Sequence, residues 1–280
     1  MLHAPLHDLR PEVDVAVEAG FDFGSEEYRA FWKPDRATAF QAPLWLDMIH
    51  RRLVSAMAAK QHTITVRSTH DRRLIAVMPM VMQAAKGVRI LQPADFGICD
   101  YNSIIGDRAR LSALALREDV RQRIVDAFRG ADLVMFRKVR SDDFDPALLM
   151  GRMSSSPGEN SAYACHTGLD PDHFRLKVLA RKFTKELGRL QRQTEREQGP
   201  YEHRLLNEPA DIRAAFAFLR QVHSQRHPDG VLSREVFADF YLDYALASAA
   251  CGESETWMST ISGEPVAVLF GLSGDGIFHS

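Results

Sequence analysis

The chain has 280 residues, 45% of them hydrophobic and 26% charged, which is enough apolar material for roughly two packed domains. A formal net charge of -2 argues against a globally basic nucleic-acid binder. Cys99, Cys165 and Cys251 are far apart, odd in number and without a C-x-x-C pair; this argues against a disulfide framework or structural zinc site and for reduced thiols in a cytoplasm.

In chain order, the first ~35 residues are mixed and read as an arm or an extra strand. A helix opens at Phe40-Gln41-Ala42-Pro43, because proline suits a first helical turn. Trp45, Ile49, Leu53, Ala56 and Met57 then share one face. His62 to Arg67 alternates as a strand, Thr69 to Arg72 is a polar turn, and Leu74 to Met78 is a buried-type strand. Pro79 implies a bulge or an edge. Val88 to Leu91 is a third short strand, Phe96 to Asp107 a loop with a strand-like core, Leu111 to Phe128 one helix, and Asp132 to Val139 another strand. Ser154 to Asn160 has the composition of a linker. Further on, Ser233 to Ala250 is helical, Glu255 to Ile261 a strand, Ser262-Gly263-Glu264 a turn and Pro265 to Phe270 a buried-type strand. Gly271 to Gly276 reads as a hairpin turn before Ile277-Phe278-His279. No run approaches the ~20 apolar residues that span a bilayer, and no basic-then-apolar leader opens the chain.

Leu74-Ile75-Ala76-Val77-Met78 and Pro265-Val266-Ala267-Val268-Leu269 are near-copies. Each follows an amphipathic helix, a strand and a polar turn, so the chain reads as a duplication. The expected division is an arm over 1–39, a first lobe over 40–153, a linker over 154–174 and a second lobe over 175–280. The expected class is α/β (α+β): two mixed sheets flanked by helices, with Ile75 level with Val266. After its hairpin the first lobe runs on for some sixty residues, whereas the second has only Gly271 to Ser280. The second lobe is therefore expected to stop short.

Three groups carry candidate chemistry. His223 and Arg226 are nearly one helical turn apart and form either an acceptor-binding, proton-shuttling pair or a helix-end pair. Asp100, Tyr101 and Asn102 gather a carboxylate, a phenol and an amide, either to orient an acceptor or to cap a structural turn. From Arg175 to Gln198 there are eight Lys/Arg and three Glu, a local charge of 8 − 3 = +5. Leu176, Leu179, Phe183, Leu187 and Leu190 form one stripe of that helix, with Arg181, Lys185, Arg189, Arg192 and Arg196 roughly opposite. The ridge is either a solvated face or a surface for CoA phosphate, a nucleotide-linked sugar, RNA or an anionic membrane.

Several stretches resemble one family. Phe40 to Trp45 is similar to an F-x-x-P-x-W helix start, Ile75 to Met80 to a first hairpin and Asp100-Tyr101-Asn102 to a D-Y loop. Lys182 to Gly199 resembles the basic helix leading into a second lobe, Leu219 to Arg226 an L-x-x-x-H-x-x-R helix, and Gly263 to Ala267 a G-x-P-V-A strand. In this order they resemble the tandem, FemAB-like branch of the GNAT acetyltransferases, and within it the CelD-type proteins named for cellulose biosynthesis. The resemblance implies acyl transfer without a metal, from acetyl-CoA as co-substrate to an unknown amine or hydroxyl, polysaccharide-related or small. Within this reading the candidate catalytic residues are His223, Arg226, Asp100 and Tyr101, and the candidate cofactor contacts are Lys182 and Arg189 on the basic ridge. GNAT proteins hold the CoA pyrophosphate on a helix N-terminus after the fourth strand; here that segment is expected to be missing after His279. The first lobe, with Asp100 at the equivalent place, is not expected to bind CoA. Two alternatives accompany this reading: FemAB-type transfer from aminoacyl-tRNA with RNA on the basic ridge, and a truncated, non-catalytic binding module.

Overall fold

The structure is a computed structural model that describes residues 12–140, 142–151, 153, 154, 156, 165, 170–274 and 276–280, the side chains of Pro171 and Leu176 excepted. Most of the linker at Ser154 to Asn160 lies outside the described residues.

The fold is α+β. Among the described residues three four-stranded sheets carry it, where the sequence predicts two. In the first sheet β1 (Val13–Glu18), β3 (Thr63–Ser68), β4 (Leu74–Met78) and β7 (Ile105–Gly106) lie in that order, all antiparallel. In the second, β2 (Ala59–Gln61), β5 (Met80–Ala85) and β6 (Val88–Pro93) are antiparallel, and β8 (Leu133–Val134) joins β6 in parallel. The third has the order β12 (Ile277–His279), β11 (Glu264–Gly274), β10 (Ser254–Ile261), β9 (Tyr201–Leu205), again antiparallel. Pro79 is the pivot at which the chain leaves the first sheet after β4 and enters the second as β5. Proline cannot donate to a ladder, so a change of sheet is a natural place for it. Of the two readings of the N-terminal segment the extra strand holds, since β1 pairs with β3 from Val13↔Ser68 to Glu18↔Thr63.

Helices α1 (Glu26–Phe31) and α2 (Pro43–Met48) follow β1. α2 starts at Pro43, as the sequence suggests, and runs on through a π-helical turn at Ile49–Leu53 into α3 (Val54–Ala56). The helix expected over Leu111 to Phe128 is two helices, α4 (Arg108–Ala115) and α5 (Glu118–Asp126). α4 buries Leu111 and Leu114, and α5 buries Val120 and Ile124. Six residues separate Leu114 from Val120, roughly 1.7 turns at 3.6 residues per turn, so one straight helix would point the two pairs apart. The break at Leu116 lets both pairs face the same core. The strand expected over Asp132 to Val139 is only β8. Beyond it the carbonyls of Arg137 and Lys138 accept from the side-chain and backbone N–H groups of Asn102, at 3.0 Å each, and Lys138 takes a φ of 57° that no strand continues through.

β4 is buried at all five positions because it lies between two cores. On one side Ile75, Ala76 and Met78 join Leu111, Leu114, Val120, Ile124 and Leu149, the last from α6 (Ala147–Met150). On the other, Leu74 and Val77 join a cluster that includes Trp45, Ile49, Leu53, Phe237, Phe240, Tyr244 and Leu272. That cluster draws on residues from both ends of the chain. After the short α7 (Pro171–His173) come α8 (Arg181–Gln198), α9 (Pro209–Arg226) and α10 (Glu235–Ser248). α9 and α10 cover one face of the third sheet, with Ile212, Ala215, Phe216, Ala245 and Met258 in a third core. The β10–β11 hairpin turns at Ser262 and Gly263, where φ is 51° and 86°. Positive φ at both central residues suits the right-handed twist of a tight hairpin.

Candidate functional site

A cleft of about 300 Å³ lies where the segment after α1 meets the turn before β10 and the β11–β12 hairpin. Trp32, Thr38, Arg140, Cys251, Glu253 and His279 line it. Each element delivers its side chain for a local reason. Ser25 caps α1, accepting from the Tyr28 backbone N–H at 3.2 Å, and Tyr28 and Phe31 bury into the core. The helix end is thereby fixed, and Trp32 is its C-cap. Glu253 follows Gly252, whose left-handed backbone, φ 73°, turns the chain from α10 into β10. His279 is the last residue of β12 and pairs with Leu272.

The polar groups here are unusual. Among the described residues, Nε1 of Trp32 and Oε2 of Glu253 are buried and have no hydrogen-bond partner. Such groups are rare in folded proteins, because an unmet donor or acceptor loses its water without replacement. Burial pushes the Glu253 carboxyl above its ordinary range, against the lowering effect of the Cys251 thiol and the Arg29 charge. Burial also raises the Cys251 thiol. The His279 ring is shifted down, chiefly by burial and further by Arg140, with Asp100 opposing. It packs edge-on to Phe40 at 5.3 Å and Tyr101 at 6.0 Å. Arg140 stands 5.5 Å over the Tyr101 ring and holds Asp142 through two hydrogen bonds, at 2.9 and 2.6 Å. Below them Tyr244 fills the floor, its hydroxyl donating to the Glu253 carbonyl at 3.4 Å. The cleft therefore holds a carboxylate disposed to take a proton, a neutral imidazole and an indole donor.

The residues singled out in the sequence are distributed unevenly around this cleft. Tyr101 borders it through its ring contacts with His279 and Arg140. Asp100 is exposed beside them and acts on His279 through its charge. Asn102 turns inward instead, donating to Asp95 at 2.8 Å, which is a structural role. His223 and Arg226 lie in the last turn of α9 and do not line the cleft. His223 is half-buried, its ring 5.2 Å from His227, and its Nδ1 has no partner among the described residues; Arg226 is exposed. Lys182 and Arg189 are exposed on α8, and Arg189 pairs with Glu186 at 2.7 Å. The five ridge cations Arg181, Lys185, Arg189, Arg192 and Arg196 are all exposed. The apolar stripe opposite them is exposed too: Phe183, Leu187 and Leu190 are 52%, 45% and 45% accessible, and no residue of α8 is buried. Trp32, Arg140, Glu253 and His279 escaped the sequence reading. Each belongs to a different segment, and no spacing rule links them.

No group of three or more His, Cys, Asp or Glu side chains suited to a metal occurs among the described residues. Nor is any described helix long and apolar enough to cross a membrane. Residues 181–280 match the family described as "Acetyltransferase (GNAT) domain". That stretch contains α8, all four strands of the third sheet and both helices packed on it; the match indicates no acceptor. No curated protein matches the sequence. The fold is similar to a crystal structure of a conserved protein of unknown function from Bacteroides thetaiotaomicron VPI-5482. The two are 12% identical with a TM-score of 0.51, over 92% of this chain and 75% of that one.

Proposed function

We propose that this protein is a GNAT-type acyltransferase that moves the acetyl group of acetyl-CoA to the nitrogen or oxygen of a small or polysaccharide-related acceptor. The observation that carries the reading is the acetyltransferase-domain match over 181–280, together with the order of elements inside it. There β9 is followed by α9 and α10, then by β10, β11 and β12 in antiparallel succession. The first sheet offers a partial parallel to this, with β1, β3, β4 and β7 as antiparallel neighbours, although β2, β5 and β6 of the second sheet are interleaved along the chain. In both sheets the strand of the repeated apolar motif, β4 or β11, is third in rank. Acyl transfer of this kind needs positioning, a polarised thioester carbonyl and a proton acceptor. In this reading Lys182 and Arg189 meet the CoA phosphates from the exposed ridge of α8, and Asp100 and Tyr101 help hold the acceptor at the rim of the cleft.

The test is release of free CoA from acetyl-CoA, followed with a thiol reagent across a panel of amines and alcohols. Acceptor-dependent release above the protein-free rate is expected; no release with any member, and no binding of acetyl-CoA by calorimetry, removes the reading. The aminoacyl-tRNA alternative draws support from the exposed cations of α8. Retention of tRNA on filters that falls steeply with salt would favour it, because neutralising phosphates releases counterions.

A further inference from the structure

The geometry points to the cleft between Trp32, Glu253 and His279 as a binding site for a small amino alcohol or amino sugar, with Glu253 as its proton acceptor. Three observations converge. Of the six buried side-chain polar atoms without partners among the described residues, two, one donor and one acceptor, belong to residues that line the same cavity. A ligand that satisfies both carries an N–H or O–H to give to Glu253 Oε2 and an oxygen to receive from Trp32 Nε1. A primary amine or hydroxyl beside a second oxygen meets that description, and a simple alkane, amine or carboxylate does not.

The charge pattern narrows the class further. Glu253 lines the cavity and Asp100 acts on the His279 ring through its charge, while Arg140, which also lines the cavity, already holds Asp142 in two hydrogen bonds. The balance favours a neutral or cationic ligand over an anionic one. Size narrows it again. At about 300 Å³ the cavity is at the small end of ligand sites, fit for one sugar ring or an amino alcohol. The Trp32 indole and the His279 ring line the cavity and offer aromatic surface on which the face of a sugar packs.

The transfer step rests on the acyltransferase reading; the binding step does not. In the transfer the acceptor's N–H or O–H proton passes to the Glu253 carboxylate as its nitrogen or oxygen bonds to the acetyl carbonyl carbon. The C–S bond of the thioester breaks, and CoA leaves as a thiolate that takes up a proton.

The test separates the two steps. D-glucosamine, ethanolamine and glycerol are titrated into the full chain without acetyl-CoA, followed by calorimetry and by the shift in thermal midpoint. Binding of at least one is expected, weakened roughly tenfold or more in Glu253→Gln, which replaces the carboxylate by a neutral amide with one acceptor oxygen, and in Trp32→Phe, which removes the indole donor. Glu253→Gln is isosteric and Trp32→Phe keeps an aromatic ring, and unchanged far-UV circular dichroism shows that each is folded. Binding of none of the three probes overturns the site, and so does binding that both variants retain in full. Probe binding with neither CoA release from acetyl-CoA nor binding of acetyl-CoA leaves the site standing and removes the acyltransferase reading. CoA release that Glu253→Gln and Trp32→Phe leave untouched does the reverse.

Discussion

His50 shows how burial alone sets a charge state. Its Nδ1–H donates to the Leu46 carbonyl at 2.8 Å, its ring lies 4.5 Å from Phe23, and its Nε2 is buried without a partner among the described residues. Burial is the dominant cause, and it drops the imidazole to about 4. The unfolded chain binds the same proton near the ordinary value of about 6.5. Between those two values the unfolded state holds more protons, so stability rises with pH. The stabilisation is fully present above about 6.5 and is lost as the pH falls toward 4, a loss on the order of 3 kcal/mol from this residue. Urea midpoints measured from pH 4 to 8 should show the slope, and His50→Phe should flatten most of it. His279, also shifted down by burial, adds to the slope in the same direction.

At the scale of elements, β12 and α8 differ in what fixes them. β12 is held by a close approach. A Cβ on Gly271 would run into the His279 carbonyl and the Phe278 ring, so only glycine lets β12 lie against β11 there. Gly271→Val should cost about 1–3 kcal/mol by overpacking, read as a lowered denaturation midpoint. It should also displace His279 from the cleft and weaken glucosamine binding. α8, with no buried residue, has nothing comparable. It rests on helix propensity and on local pairs such as Arg189–Glu186 and Gln191–Glu195. Its amides are expected to exchange with deuterium orders of magnitude faster than those of α10, whose Phe237, Phe240, Tyr244 and Ala245 are buried. Equal protection in the two helices would show that a partner covers α8.

For the molecule as a whole, one core joins the early and late parts of the chain. Trp45 is fully buried and meets Phe240 at 5.1 Å and Tyr244 at 4.8 Å, while its Nε1–H donates to Cys99 Sγ at 3.3 Å. Leu272, from β11, packs in the same cluster. Trp45→Ala should therefore cost about 3–5 kcal/mol, and the loss should appear in a single transition seen alike by near-UV and far-UV circular dichroism. Residues 181–280 expressed alone should bind a hydrophobic dye and lack a cooperative transition, because Phe237, Phe240 and Tyr244 would face water. A sharp melt of that fragment would show that the late part folds independently.

What the sequence determined on its own is whatever depends on neighbours along the chain. Pro43 at a helix start, the alternation of β3, the apolar run of β4 and the Ser262-Gly263 turn are each fixed by local dihedral preference or by period, and all were legible. The near-copy pair Leu74–Met78 and Pro265–Leu269 is alike in sequence alone: β4 is buried at every position, whereas no residue from Pro265 to Leu269 is buried, so the buried-type strand expected there is a partly exposed one. Tertiary structure decided three other things. It split the helix expected over 111–128, because two buried pairs had to face one core. It cut β8 short, because Asn102, 35 residues before Arg137, took the carbonyls a longer strand would have used. It left the stripe on α8 exposed, since an amphipathic pattern states which face prefers burial and not whether anything arrives to bury it. The cleft belongs to this second kind. Trp32, Arg140, Glu253 and His279 come from four distant segments, and their shared chemistry, a donor and an acceptor buried without partners, exists only once the fold has taken water away from them.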